Sequence, residues 1–408
     1  YLEILSLVGL MMLTFNHYLA RQSGFYLGFL LSLVLLFVRG TLTHGKRWRI
    51  ISKSALFIFL FLLPVSLSSS HEFHVFALIF QIVLTPFTFF FALSGVISFY
   101  SYPIRPYFNF LAKGLDYTLS GLKHIDFTLS FAQFSHIYLA LYYCLLMAII
   151  YFLESYQFRS VRILTALFSF TLLFPLIPYQ NLYADSITFL NVGQGDSCII
   201  RHFDKSIMID TGGLVYQDIA TTVTIPYLRK VGISHLDYVF ISHSDYDHSG
   251  ALNSLKANFP VYKVVDDSSP FIINVGDISI RNLNKWSNLA KEENDRSQIL
   301  NFRVAKRNVL MMGDASINVE NYLLNEYDLS SLKIDLLKLG HHGSKTSSSR
   351  AFLNIVKPKE AIISVGKKNK YGHPNKEVID SLKALKIPYK RTDEVGTISY
   401  YGNHLFSA

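Results

Sequence analysis

The chain has 408 residues, of which 50% are hydrophobic and 15% aromatic, and its formal net charge is +9. Residues 1–184 contain 11 Lys and Arg with 5 Asp and Glu, whereas residues 185–408 contain 27 and 24. This uneven distribution does not fit one soluble domain, and two cysteines exclude a disulfide framework. It predicts a membrane region followed by a soluble domain with a core of its own. The small positive excess in each part does not by itself indicate a nucleic-acid-binding protein, because basic residues beside membrane spans set topology.

The first region, residues 1–180, is predicted to be a polytopic membrane domain. A helical span needs about 20 apolar residues. Stretches that approach this length lie at roughly 4–20, 24–40, 54–70, 74–100, 137–153 and 160–178. A buried helical bundle is the alternative interpretation. The chain begins at Tyr1 inside an apolar segment, so we expect it to be the C-terminal part of a longer protein.

The region between the fourth and fifth apolar stretches, residues 103–134, has apolar residues at helical spacing with interspersed lysine and arginine. This pattern is typical of helices that lie in the membrane interface. The basic loop at residues 39–53 is the best candidate for the cytoplasmic side. Six full spans place the soluble domain on that side, whereas one re-entrant segment, such as 54–70, places it outside. Both topologies remain open.

Residues 185–408 alternate short apolar strands with loops and helices. The strands occur in ITFLNVGQGDSCIIRH, KSIMIDTGG and LDYVFISHSDYDHSG, and helices are predicted at 217–231, 248–257, 316–327 and 374–385. A strand followed by a polar loop and a helix recurs through the domain. The pattern predicts an α/β fold of two sheets with outer helices, in an αββα arrangement. It does not give the order of the strands.

The loop after the strand LDYVFIS carries four metal-ligand side chains, His243, Asp245, Asp247 and His248. A tight loop between a strand and a helix lets these side chains converge. Imidazole nitrogen with carboxylate oxygen is the ligand set of Zn, Mn or Fe rather than of Ca or Mg. The sequence therefore predicts one or two divalent ions, and a polar loop with chance histidines is the alternative.

Two further segments end apolar strands with ligand types, Asp314 in NVLMMGDAS and the pair His341 and His342 in IDLLKLGHHGS. The carboxyl ends of strands are where open α/β sheets place their sites, and a carboxylate there can bridge two ions that together activate water. Adjacent residues in extended backbone point in opposite directions. We therefore expect one ligand from the pair, with His342 favoured and His341 acting on the substrate or supporting a ligand; the reverse assignment stays open.

Seven segments together carry a specific resemblance to the ComEC family of bacterial natural competence. They are 191–197 NVGQGDS, 209–213 IDTGG, 242–250 SHSDYDHSG, 313–314 GD, 338–344 KLGHHGS, 371–374 YGHP and 392–397 TDEVGT. Their order and spacing resemble the metallo-β-lactamase-fold domain of that family over most of residues 185–408. The apolar region before them resembles the family's membrane competence domain.

The resemblance implies roles for particular residues. It implies that His243, Asp245, Asp247, His248, Asp314 and one histidine of the HHGS pair bind metal, with Asp247 and His341 as the candidate catalytic residues. It assigns Asp210 the task of orienting the ligand loop, and Gly193 and Gly195 a tight turn beside that loop. Ser344, Lys345 and His373 are candidates for binding a phosphate. Alternatively, Ser344 caps a helix, Lys345 is a solvated surface charge and His373 is a turn residue.

One departure from the family pattern bears on catalysis, because no histidine occurs between His248 and His341. One metal position is therefore incomplete, or it uses Asp295 or water, and Asp245 in place of a histidine favours Mn over Zn.

The resemblance implies DNA uptake across the bacterial plasma membrane, as a multi-pass channel for single-stranded DNA with a metal-dependent nuclease domain. The implied partners are single- and double-stranded DNA, the lipid bilayer and other competence DNA-uptake proteins. The nuclease role favours an extracellular position for the soluble domain. Two alternatives remain: a translocation protein whose domain binds DNA without cutting it, and a membrane-bound hydrolase of a small phosphoester.

Overall fold

The computed structural model describes residues 2–21, 47–76, 90–123, 128–177, 184–266, 271–287, 290–367 and 369–402, with isolated positions between 22 and 46. The chain divides into two compact units, Tyr1–Ile177 and Pro178–Ala408. The predicted span at 24–40, apart from isolated positions, and residues 77–89 of the predicted span at 74–100 lie outside the described residues.

Among its described residues, the first unit consists of helices with one short antiparallel strand pair. One helix among the described residues, His136–Glu154, is long and apolar enough to cross a bilayer, and Glu3–Phe15, Leu56–Ser68 and Phe90–Tyr100 are shorter apolar helices. The predicted interfacial region contains a helix followed by a strand. The elements are α1 (Leu2–Phe15), α2 (Arg47–Ser70), β1 (Glu72–His74), α3 (Phe90–Tyr100), α4 (Arg105–Lys123), β2 (Thr128–Ser130), α5 (His136–Glu154) and α6 (Phe158–Leu173).

A proline inside α2 lies next to the point where α5 hydrogen-bonds to α2. Pro64 has no N–H, so the Leu60 carbonyl loses the partner that a regular helix would give it. The Tyr142 hydroxyl donates to that carbonyl at 2.6 Å, and the Tyr143 hydroxyl donates to the neighbouring Phe61 carbonyl at 3.0 Å. Two tyrosines of α5 therefore donate hydrogen bonds to α2 carbonyls in the turn before Pro64.

The second unit contains two sheets flanked by helices, which confirms the predicted two-sheet α/β fold. The strands are β3 (Asp185–Phe189), β4 (Ser197–His202), β5 (Lys205–Thr211), β6 (Leu236–Phe240), β7 (Val261–Val265), β8 (Ile272–Val275), β9 (Ile278–Asn282), β10 (Leu300–Val304), β11 (Arg307–Met311), β12 (Leu336–Lys338), β13 (Glu360–Ile363), β14 (Tyr389–Arg391) and β15 (Ile398–Tyr401). The helices are α7 (Ile225–Lys230), α8 (Tyr246–Ser249), α9 (Leu252–Asn258), α10 (Ile317–Glu326), α11 (Arg350–Val356), α12 (Lys376–Ala384) and α13 (Thr392–Val395).

One sheet has the order β15-β3-β4-β5-β6-β7 and the other β14-β13-β12-β11-β10-β9-β8. Apolar side chains from both sheets form the central core, including Phe189, Ile207, Phe302 and Leu336. The outer face of the first sheet packs on α7 and α9, and that of the second on α10, α11 and α12. Because both faces are covered, the parallel strands are apolar along most of their length.

The parallel strands place the polar loops. Strands β5, β6 and β7 run parallel in the first sheet, as do β11 to β14 in the second. The loops that follow β6, β11 and β12 leave at the carboxyl ends of these strands. They carry the predicted ligands.

Candidate metal centre

Asp210, at the end of β5, organises two of the predicted ligands. Its backbone is left-handed, with φ at 57°. Its carboxylate accepts the Ser242 N–H at 2.7 Å and the Ser242 hydroxyl at 2.8 Å, and it lies 2.9 Å from Nδ1 of His248. The Ser242 Oγ lies 3.1 Å from Nδ1 of His243, and because its hydrogen goes to Asp210 it accepts from that nitrogen. In the neutral imidazole of each histidine the lone pair is therefore on Nε2.

His342 is oriented in the same way from the other sheet. Its Nδ1 lies 2.9 Å from the Ser364 carbonyl, which can only accept, so the hydrogen sits on Nδ1. Its Nε2 lies 3.1 Å from Asp247 Oδ2 and 3.8 Å from Asp314 Oδ2. The Nε2 atoms of three histidines, two after β6 and one after β12, thus lie around the same carboxylates.

Several polar atoms at this centre are buried without a hydrogen bond in the described structure. They are Nε2 of His243, Nε2 of His248 and Oδ1 of Asp314. His248 Nε2 and Asp314 Oδ1 lie 3.1 Å apart without hydrogen-bond geometry. Two ligands about 2.1 Å from one ion lie about 3.0 to 3.4 Å apart at angles from 90° to tetrahedral. Since buried polar atoms are rarely left unsatisfied, the residues present fit a divalent ion.

The electrostatics of the centre favour a cation. Burial lowers the pKa of His248, but the Asp314 and Asp210 carboxylates outweigh burial and hold this pKa well above its ordinary value. Burial also opposes charge on His342, yet Asp314 and Asp196 raise its pKa to about 10. Burial alone would raise the pKa of Asp314, whereas His248 and His342 hold it well below its usual range. The surplus of carboxylates stabilises positive charge, whether protons or metal.

The ligand atoms form four overlapping groups, and the atoms in each group lie within 4.8 Å of one another. Two groups lack Asp196: one is Asp247, His248 and His342, and the other is His243, His248 and Asp314. The remaining two contain Asp196, once with Asp314 and His342 and once with Asp210 and His248. Because the two groups without Asp196 share His248, one ion position has a full ligand set and a second relies on His243, Asp314 and Asp245. Asp245 Oδ2 lies 3.5 Å from His243 Nε2.

Asp295 lies outside these groups. Its Oδ1 accepts the Ser316 N–H at 3.3 Å, close to the start of α10. Among the described residues between 249 and 340, Asp314 alone appears in a candidate ligand group. The predicted alternative ligand at Asp295 therefore does not reach the centre in this structure.

His341 and His342 do not form the extended backbone that the sequence argument assumed. Both are left-handed, with φ at 46° and 53°. This turn brings both side chains to one centre, and Nε2 of each lies 3.8 Å from Asp314 Oδ2. His342 is 1% exposed, whereas the His341 side chain is 29% exposed. His341 therefore lies on the solvent side of the centre, and His342 is buried within it.

A buried ion pair beneath the centre was missed in the sequence. Lys338 Nζ donates to Asp196 Oδ2 at 2.5 Å and to the Leu339 carbonyl at 2.9 Å. Both charged residues are 1% exposed, and Asp196 Oδ1 lies 3.5 Å from His342 Nδ1. Burial opposes ionisation of Asp196, but Lys338 and His342 hold its pKa far below the usual range. The available signal was a single lysine in the apolar strand LLKLG.

The predicted glycines lie where the first loop meets the ligand loop. Gly193 and Gly195 have φ at 79° and 138°. A Cβ at Gly195 would collide with the Asp247 carbonyl oxygen, which accepts the Asp196 N–H at 3.1 Å. Only glycine permits this close approach.

The three predicted phosphate ligands have different surroundings. Ser344 is buried and its Oγ lies 3.0 Å from Thr346 Oγ1, within its own turn. The Lys345 side chain is exposed. The His373 ring lies 5.5 Å from the His341 ring, centroid to centroid. His373 therefore lies beside His341, Lys345 is exposed three residues after His342, and Ser344 is already hydrogen-bonded.

Comparison with known proteins gives two matching families. Residues 1–156 match the Competence protein family and residues 190–272 match the metallo-beta-lactamase superfamily. ComE operon protein 3 of Bacillus subtilis (strain 168) is 26% identical over 452 residues, covering 96% of this chain and 57% of that protein. Competence protein ComA of Neisseria gonorrhoeae is 29% identical over 226 residues, covering 53% and 32%. The chain thus spans little more than half, or less, of these relatives.

Among solved structures, the metallo-beta-lactamase fold protein YhfI from Bacillus subtilis covers 53% of this chain and 99% of its own, with 12% identity and a TM-score of 0.35. The second unit is a metallo-β-lactamase-type domain, a class that implies a divalent metal, and it carries candidate ligand groups for one. The two family matches, in this order along one chain, confirm the resemblance drawn from the motifs. The chain is therefore similar to the ComEC family of competence proteins over most of its length.

Proposed function

We propose that this chain takes part in DNA internalisation at the bacterial plasma membrane and that its second unit hydrolyses phosphodiester bonds with one or two divalent ions. One observation carries the hydrolase proposal: Nε2 of His243, Nε2 of His248 and Oδ1 of Asp314 are buried together, and none of them has a hydrogen bond within the described structure. The competence-family matches support DNA as the substrate.

Asp247, His248, His342 and Asp314 would hold the first ion, and His243 and Asp245 would hold a second ion with Asp314. When bound, a divalent ion supplies Lewis acidity that neutralises the charge developing on a phosphodiester during hydrolysis. The high share of carboxylate ligands favours Mn, and the three imidazoles also suit Zn.

Asp247 and His341 are the groups with access to substrate. The Asp247 side chain is 31% exposed, and His341 is 29% exposed. In our proposal, the free oxygen of Asp247 orients the attacking water, and the His341 imidazole delivers a proton to the departing oxygen. Thr346 Oγ1 lies 3.4 Å from His341 Nδ1 and helps to hold the ring in place.

Lys345, which is exposed, and His373, which lies beside His341, suit the phosphates that flank the scissile bond. Ser344 shares that role only if its hydroxyl exchanges Thr346 for a phosphate oxygen. Asp210 acts by fixing the tautomers of His243 and His248.

The membrane part of the proposal concerns residues 1–180, as a multi-pass domain with interfacial helices near 103–134, and residues 185–408, as the hydrolytic domain. One DNA strand would pass inward while the domain, on the outer face, degrades the other. The lipid bilayer and other competence DNA-uptake proteins are the proposed partners besides single- and double-stranded DNA. The apolar helix His136–Glu154 supports the membrane assignment.

A translocation protein that binds DNA without cutting it is the second candidate. The thinner ligand set at the His243 and Asp245 position supports it, because two-ion hydrolysis needs both ions held. This candidate predicts DNA binding without cleavage by any divalent ion.

The test is cleavage of single- and double-stranded DNA by the full chain in detergent, without metal and with Mn, Zn or Mg. We expect metal-dependent cleavage that Asp247→Ala and Asp314→Ala each abolish. Asp204→Ala is the matched control, since Asp204 is an exposed carboxylate in the turn before β5. Cleavage that persists in both centre variants would contradict the proposal, and binding without cleavage would favour the translocation protein.

A further inference from the structure

The loop at residues 366–376 carries a concentrated positive charge beside the metal centre. Its sequence, GKKNKYGHPNK, contains four lysines and no acidic residue. Lys345 adds a fifth cation, because its backbone N–H donates to the Asn375 side chain at 2.7 Å. Lys345, Lys367, Lys370 and Lys376 are exposed. This charge is complementary to a polyanion approaching the centre.

The loop is held in one conformation by Asn369. Its Oδ1 accepts the backbone N–H of Tyr371 at 3.2 Å and of His373 at 3.0 Å. Its Nδ2 donates to the carbonyls of Gly366 at 3.1 Å and His373 at 2.7 Å. The amide therefore uses both Nδ2 hydrogens and accepts twice at Oδ1, which holds the backbone of residues 369–373 in place.

An aromatic series runs from the surface to the centre along this loop. The Tyr371 ring is 60% exposed and stacks on His373 at 5.9 Å, with 13° between the planes. His373 meets the His341 ring at 5.5 Å and 67°. His341 Nε2 lies 3.8 Å from Asp314 Oδ2. Lys370 Nζ lies over the same ring, 5.8 Å from its centroid. Tyr371 therefore presents an exposed ring beside a cation, about two rings away from the candidate ligands.

We propose that Tyr371 is a stacking platform for a base of single-stranded nucleic acid, whose phosphates follow Lys367, Lys370 and Lys376 into the metal centre. An aromatic face in a basic groove is the combination that recognises single strands without sequence preference. A duplex stacks its bases on one another, so they do not reach Tyr371 unless they are unpaired. The inference rests on the proposed function for the position of the scissile phosphate, and it narrows the substrate to unpaired strands.

The experiment measures binding of fluorescent oligothymidine by anisotropy, with the full chain in detergent and EDTA present so that cleavage does not interfere. An abasic oligonucleotide of the same length and a duplex are the comparison ligands. We expect Tyr371→Ala to weaken oligothymidine binding about 5- to 100-fold, as loss of one base stack does. Tyr371→Phe should keep wild-type binding, and abasic and duplex binding should not change.

Tyr262→Ala is the matched control. Tyr262 is 70% exposed and stacks on His235 at 4.7 Å. It lies near the amino end of β7, whereas the ligand loop follows the carboxyl end of the parallel strand β6. Equal binding of oligothymidine and abasic strands by the wild type, no binding of either, or a thymidine preference that survives Tyr371→Ala would each overturn the inference. A failed cleavage test with this preference intact would remove the hydrolase proposal and leave the platform standing.

Discussion

One carbonyl of the first unit and the buried ligand atoms of the second differ in how their hydrogen bonds are met. In the first unit, the Leu60 carbonyl, which Pro64 leaves without a backbone donor, receives the Tyr142 hydroxyl at 2.6 Å. In the second, Nε2 of His243 and Oδ1 of Asp314 are buried without a hydrogen bond in the described structure. The other ring nitrogen of His243, Nδ1, is nevertheless hydrogen-bonded to Ser242, whose hydroxyl donates to Asp210.

This difference separates structural polar groups from functional ones. A structural polar group is satisfied by its own fold, because an unmet hydrogen bond costs stability. In the second unit the surrounding hydrogen bonds turn lone pairs toward a common point and leave that point to a ligand. The following changes test whether each unit behaves in this way, from the largest expected effect to the smallest.

Lys338→Met should be the most damaging change, because it leaves the Asp196 carboxylate buried without its cation. We expect a loss of about 3 to 5 kcal/mol in the free energy of unfolding of the second unit. Urea unfolding followed by Trp286 fluorescence measures it in a Trp48→Phe background, since the chain has two tryptophans. Adding Asp196→Asn should recover much of the loss. A single variant as stable as its parent would show that the ion pair is not structural.

Asp210→Asn should weaken metal binding while changing the fold little. An amide cannot accept from His248 Nδ1 and from both Ser242 donors in the same way, so the imidazoles lose their fixed tautomers. We expect divalent-ion affinity to fall about 10- to 100-fold, as loss of a supporting carboxylate commonly causes. Titration of Mn or Zn into the metal-free chain, with Asp237→Asn as a control, provides the measurement. Unchanged affinity would show that Asp210 has no part in ligand orientation.

Tyr142→Phe tests the satisfied carbonyl of the first unit. Loss of the hydroxyl should cost about 1 kcal/mol, the size of a side-chain hydrogen bond between helices in membranes. Pro64→Ala restores an N–H for Leu60, so the same tyrosine change should be nearly neutral in that background. Thermal unfolding in detergent of the four members of this cycle gives the coupling. Equal losses in both backgrounds would show that Tyr142 acts independently of Pro64.

Glu320 provides a small effect that depends on pH. Burial raises its pKa from the ordinary value of about 4.5, and its carboxylate accepts the Ser349 N–H at 2.9 Å. Because the folded pKa lies above the unfolded one, its contribution is fully present below pH 4.5 and is lost as pH rises through the folded pKa. The melting temperature of Glu320→Gln should therefore fall less between pH 4.5 and 7 than that of the wild type. The exposed Glu326→Gln on the same helix should follow the wild type, and parallel curves for all three would refute the argument.

Much of the second unit could be predicted from sequence because its signals are local. Apolar runs ending in His243, Asp314 and His342 marked strand ends, and the carboxyl ends of parallel strands meet at one edge. The left-handed turn at His341 and His342 could not be predicted, since tertiary contacts impose it. The Lys338 pair with Asp196 joins residues 142 positions apart, and a lysine in a buried strand indicates a partner without naming it.

In the first unit the sequence indicated apolar segments but not their partners. The sequence shows Pro64 and hence a carbonyl without its helical donor. That Tyr142 and Tyr143 donate to carbonyls there depends on which helix packs against α2. Apolarity sets helix type and leaves helix neighbours undetermined.

The central claim is that the buried ligand atoms bind a divalent ion. Its most direct test is a calorimetric titration of Mn and Zn into the metal-free full chain, for the wild type and Asp314→Asn. The account predicts one tight site in the wild type, with a second weaker site, and loss of the tight site in Asp314→Asn while the apo fold is retained. A wild type that binds neither ion, or an Asp314→Asn chain that binds as tightly, would contradict it.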